Sequence, residues 1–126
     1  MKDAMKNMIK EMISYYRVNV KASERSWEAF SAVSGFSRSA VYDIINPDTD
    51  VNKDTVVLFG LALQMSLFDF ITLYEYKGFK LRPFKRRDQI IAGFFEDQEY
   101  DYEELNRFLK KCGETPISVR VHSLDV

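Results

Sequence analysis

Phe30-Ser31-Ala32-Val33-Ser34-Gly35-Phe36-Ser37-Arg38-Ser39-Ala40-Val41-Tyr42-Asp43-Ile44-Ile45-Asn46-Pro47 decides the fold of this chain. It reads as two short helices joined by a sharp turn. Gly35 supplies the left-handed residue that ends the first helix. Ser37 is placed to cap the second, because a serine hydroxyl just ahead of a helix accepts one of its free amide protons. Val41, Ile44 and Ile45 share one face of that second helix and turn it inward. Arg38, Ser39, Tyr42, Asp43 and Asn46 are left facing out, and Pro47 prevents further winding. The spacing predicts a helix-turn-helix over about residues 24–46, with Arg38 to Ile45 as its second helix.

Helical periods continue on both sides of this unit. Met5, Met8, Ile9, Met12, Ile13 and Tyr16 recur at steps of three and four, with Lys2, Lys6 and Lys10 on another face. They predict an amphipathic first helix reaching about Arg17. Ser23 or Ser26 opens the next, which carries Trp27, Phe30 and Val33 on one side. After the polar loop Asp48 to Asn52, Thr55 to Met65 is apolar almost all round, broken mainly by Gly60 and Gln64. A helix of that kind is surrounded by others, so it is expected at the centre. Ser66-Leu67-Phe68-Asp69 has the spacing of a capping box and starts a helix from Leu67 to about Lys77, ended by Gly78. Pro83 is expected in the first turn of a helix that buries Ile90, Ile91, Phe94 and Phe95. Asp101 and Glu104 repeat the capping-box spacing ahead of Leu105, Phe108 and Leu109, and Gly113 ends that last helix.

The expected fold is therefore an all-α, compact helical bundle over residues 1–113, containing the helix-turn-helix and further C-terminal helices. Residues 114–126 form a short tail of extended character. In it Ile117, Val119 and Val121 alternate with Ser118 and Arg120, as in a strand. Such a segment has no sheet to join in an all-helical domain. It can be disordered, lie across the helices, or pair with a second copy or another protein.

Composition narrows the function classes. With 126 residues and 46% hydrophobic content the chain is sized for one domain with a substantial core. One cysteine, Cys112, permits no internal disulfide, and no apolar run is long enough to span a bilayer. The N-terminus lacks the continuous apolar run of a signal peptide, so a cytoplasmic protein is expected. A net charge of −1 argues against nucleic-acid binding by bulk electrostatics. The charge is uneven, however. Lys77, Lys80, Arg82, Lys85, Arg86 and Arg87 form a basic run, and Glu96, Asp97, Glu99, Asp101, Glu103 and Glu104 an acidic one. Each is read as a solvated face, pairing in part with the other.

No catalytic constellation is visible. His122 is the only histidine and lies in the tail, Cys112 has no partner at metal-ligand spacing, and there is no phosphate-binding glycine loop. The chain is expected to be no enzyme and to require neither cofactor nor metal.

The second to fifth expected helices resemble the Cro and lambda-repressor type of helix-turn-helix, the XRE family. The resemblance extends through Lys53-Asp54-Thr55, Leu61-Ala62-Leu63, Tyr76-Lys77-Gly78-Phe79-Lys80-Leu81, Asp88-Gln89-Ile90-Ile91-Ala92-Gly93-Phe94-Phe95, Tyr100-Asp101 and Leu105-Asn106, in that order. It is similar to a bacterial subgroup with an Ala-Gly-Tyr-x-Leu-Ser and an Asp-x-Ile-Ile-x-Tyr-Phe-Ile segment behind the DNA-reading unit, and it covers roughly residues 24–112. The resemblance implies a transcriptional regulator that binds double-stranded DNA, as a homodimer, through the helix Arg38 to Ile45. Arg38 and Ser39 match positions that reach base edges, Asn46 a position that meets phosphate, and Ser37 the cap. Tyr42 lies on the same outward face, and Lys53 is placed for a phosphate at the next helix start. Arginine binds guanine bidentately and serine both donates and accepts, so the chemistry agrees.

Two positions depart from the pattern: Trp27 stands where members carry a bracing glutamine, and Ser31 where they carry a small alanine. Asp43, Asp48, Asp50 and Asp54 also bring negative charge to the expected DNA face. The alternative expectation is a non-enzymatic protein-interaction or accessory module of a bacterial toxin or phage-defence complex. Such a module keeps the helix-turn-helix fold without reading DNA and meets a protein partner through its tail or acidic surface.

Overall fold

The computed structural model describes residues 36–118 and, ahead of them, residues 4, 6–8, 10 and 11, which are helical. The expected helix through Trp27, Phe30 and Val33, the turn at Gly35, and Val119 onward lie outside the described residues. So does the first half of the helix-turn-helix. What is described is all-helical, in the order α1 (Arg38–Ile45), α2 (Lys53–Leu63), α3 (Leu67–Tyr76), α4 (Arg86–Glu96) and α5 (Tyr102–Lys111).

Local chemistry accounts for each boundary. The Ser37 hydroxyl accepts from the Ala40 amide at 3.1 Å and starts α1. Asn52 caps α2 by accepting from the Asp54 amide. Ser66 caps α3 by accepting from the Asp69 amide, three residues on. Asp101 caps α5 through the Glu103 amide, and Gly113 closes it with φ +74°. The expected start at Pro83 is corrected. Pro83 instead occupies a turn in which the Lys85 amide donates to the Arg82 carbonyl, and α4 begins at Arg86. Proline's fixed φ suits the second position of such a turn as well as it suits a helix start. The Asp88 carboxylate then accepts from the Arg82 backbone amide, and the Gln89 side-chain Nε2 donates to the Pro83 carbonyl, so the turn is tied to α4.

α2 is the centre of the described core. Asp54 to Val57, Phe59 to Leu61 and Leu63 are all buried. Behind it α3 packs on α2, α4 on α3, and α5 on α4. Phe36 stands edge-on to Phe59 with ring centroids 5.3 Å apart, fixing the approach to α1. Phe70 of α3 and Phe95 of α4 stack face to face, 4.1 Å apart and 7° from parallel. Gly60 makes room for that stack: a Cβ there would lie 2.7 Å from Phe70 Cδ1 and 3.0 Å from Phe95 Cζ. Both rings are fully buried and cannot swing away. Gly60→Ala should therefore destabilise the protein by about 1–3 kcal/mol through overpacking, against a helix-propensity gain of about 1 kcal/mol. Urea denaturation checks it, and a more stable alanine variant would overturn the close-packing account.

The chain after α5 lies across the helices, one of the three placements open from the sequence. No strand forms among the described residues. Ile117 is buried, and its backbone exchanges two hydrogen bonds with the Asn106 side chain of α5. Arg87 of α4 donates to the Thr115 and Pro116 carbonyls, and the Ser118 amide donates to Asp54 of α2. Residues 114–118 are thus part of the packed body, and the domain runs past residue 113.

Candidate functional site

Two exposed features stand out. The first is α1. Ala40, Val41, Ile44 and Ile45 are buried, while Ser39 is exposed and Tyr42 is 59% exposed. Arg38 takes the first position of the helix, and its side chain lies outside the described part. Ser37 spends its hydroxyl on the cap. Asn46 is half-buried, and its side-chain oxygen accepts from the Asp48 amide, which folds the loop after the helix.

The C-terminal end of α1 is held from below. Lys77 Nζ donates to the carbonyls of Asp43, Asn46 and Thr49 at 3.0, 2.8 and 2.7 Å. The Tyr76 hydroxyl donates to the Ile45 carbonyl at 2.5 Å. A cation on the free carbonyls at a helix C-terminus opposes the negative end of its dipole. Burial lowers the Lys77 pKa from its ordinary value, while Asp50 and Asp43 push it back up. Lys77 is thus a strut, and its charge is spent on backbone.

The second feature is a cleft of about 590 Å³ between the start of α2, the segment after α3, the start of α4 and the chain after α5. Lys53, Lys80, Arg82, Lys85 and Arg87 line it, with Tyr74 and Phe79 in its wall and Asp88 and Glu114 as its acidic members. Lys53, Lys80, Arg82 and Lys85 are exposed. Arg87 is committed to Asp54, at 3.1 Å. The cleft adjoins the strut, because Gly78 on its wall follows Lys77 in the chain.

The sequence expectations map onto these features unevenly. Ser39 and Tyr42 share the outward side of α1. Lys53 lies in the cleft wall with the basic loop. Asp54, expected on the DNA face, is instead turned inward and paired with Arg87. The basic run is not one solvated face, since Lys77 and Arg87 point into the protein while Lys80, Arg82 and Lys85 form the cleft. No described ion pair joins it to the acidic run, where Asp101 caps α5 and Glu104 pairs with Arg107 on its own helix. Gly78, expected only as the end of its helix, is also the clue to the cleft. It takes φ +90° after α3 and turns the following basic residues back toward the Lys53 end of α2.

Among the described residues no cluster of histidine, cysteine, aspartate or glutamate is arranged to hold a metal, and no helix is long and apolar enough to cross a membrane. No protein-family model, curated protein or solved structure matches the chain.

Proposed function

We propose that the protein is a DNA-binding regulator that presents α1 to the major groove. The observation that carries this reading is α1 itself: a short helix capped by Ser37, buried on one side and offering Ser39 and Tyr42 on the other. Its C-terminal end is braced by Lys77 and Tyr76, and a reading helix must be held rigidly to convert side-chain positions into base discrimination. In this reading two copies of the module pair about a two-fold axis, so that two copies of α1 address two half-sites. In this reading Lys53 and the side-chain amide of Asn46 meet phosphates.

Arg38→Ala should weaken binding to a cognate duplex by about 1–3 kcal/mol, the usual size of one good base contact. The measurement enriches host DNA fragments on the purified protein, then titrates wild type and variant against the same duplex at fixed salt. Equal affinities, or no enriched fragment, would sink this reading.

A second reading has its own support. Asp43, Asp48 and Asp50 surround the C-terminal end of α1, where phosphates would approach, and repel them. This favours a protein-interaction or accessory module that keeps the fold. Its signature is a stoichiometric protein that co-purifies from the host, is identified by mass spectrometry, and is lost in a Tyr42→Ala variant, with no DNA enriched.

A further inference from the structure

We infer that the basic cleft is a binding site for a small phosphomonoester of about mononucleotide size. The inference does not rest on DNA reading by α1, although both draw on Lys53. Its volume of about 590 Å³ falls within the roughly 300–1,000 Å³ of small-molecule sites. The wall brings together cations from two parts of the chain: Lys53 on α2, and Lys80, Arg82 and Lys85 on the segment between α3 and α4. Arg87 and Asp54 neutralise each other. Asp88 and Glu114 offset part of the rest, which leaves an excess of two positive charges. A phosphomonoester carries about −1.5 to −2 charges at neutral pH and matches that excess.

Tyr74 supplies the second, independent observation. It lies in the cleft wall and is 2% exposed, yet its hydroxyl makes no hydrogen bond among the described residues. The hydroxyl is not among the fully buried groups left without a partner, so it opens onto the cleft, where a ligand or water can accept from it. Burial, with the Asp88 and Asp54 carboxylates nearby, pushes its pKa up to about 12, so it stays a proton donor. Phe79 packs on Tyr74 with centroids 5.3 Å apart and adds an aromatic wall beside the cations. The phosphate is held by Lys80, Arg82 and Lys85, Tyr74 donates to one of its oxygens, and the organic part lies toward Phe79 and Glu114.

The test uses adenosine 5′-monophosphate as probe, with inorganic phosphate, adenosine and a short DNA duplex as separate arms, in calorimetry and amide-shift NMR on the full chain. The expected result is saturable one-to-one binding of the monophosphate, competition by inorganic phosphate, no binding of adenosine, and shifts at residues 78–85. Tyr74→Phe, which removes one oxygen, should weaken binding roughly tenfold, and Lys80→Ala with Lys85→Ala at exposed positions by at least as much. Should Tyr74→Phe melt early, the lysine variant alone decides. Overturning results are the absence of saturable monophosphate and phosphate binding, affinity unchanged in the lysine variant, or shifts at 78–85 with the duplex only. The last would make the cleft a contact for the DNA backbone.

Discussion

Leu61→Asp should leave no cooperatively folded domain. Leu61 is 3% exposed on α2, the helix around which the described core is built. Truncating a buried leucine costs about 2–5 kcal/mol by itself. Burying an unpaired charge adds a penalty of several kcal/mol more. Together these reach the whole stability of an ordinary domain, about 5–15 kcal/mol. Circular dichroism through a thermal ramp reads the outcome, and Leu61→Met, expected to cost under about 1.5 kcal/mol, serves as the control. A soluble aspartate variant with an unchanged melting curve would displace α2 from the centre of the fold.

The second large effect is expected at Asp54. Its carboxylate is the hub where α2, α4 and the last described residues meet: it accepts from Arg87 Nη2 at 3.1 and 3.3 Å and from the Ser118 amide at 2.8 Å. The paired side chains are only 14% and 11% exposed. Removing one member of such a pair strands the other and costs about 3–5 kcal/mol. Asp54→Ala should show that loss in urea denaturation. Asp54→Ala combined with Arg87→Met should recover part of it, because no unpaired guanidinium then remains. Asp54→Ala should also loosen the chain after α5, raising amide exchange at Ile117 and Ser118 while α3 stays protected. Full stability in the single variant would mean that the pair is a surface contact of little consequence.

The elements that were legible in the sequence are those set by short-range chemistry. Arg38 to Ile45 is a helix over the expected residues because its cap, its apolar face and its stop at Pro47 lie within a dozen positions. The same is true of Ser66 with Asp69, and of Gly113. The all-round apolarity of the fourth expected helix correctly placed α2 in the core. What was not legible depends on partners far away in the chain. Lys77 looks like one more surface lysine until the carbonyls of Asp43, Asn46 and Thr49 are brought to it. Asp54 and Arg87, separated by 33 positions, read as members of two unrelated charged surfaces. Pro83 was ambiguous for a different reason, since one fixed φ serves both a helix start and a turn. The candidate cleft is not legible because the sequence sets its cations in a linear run, whereas a cleft is defined by what the fold sets opposite them.

Gly60 carries a consequence for how this sequence can change over time. The space above its Cα is occupied by the Phe70 and Phe95 rings, so positions 60, 70 and 95 are sterically coupled. A lineage that acquires a side chain at 60 must first, or soon after, shrink a ring at 70 or 95. A lineage that keeps both rings is confined to glycine. Substitutions at these three positions should therefore appear together in descendants of this chain, although 35 residues separate the first from the last.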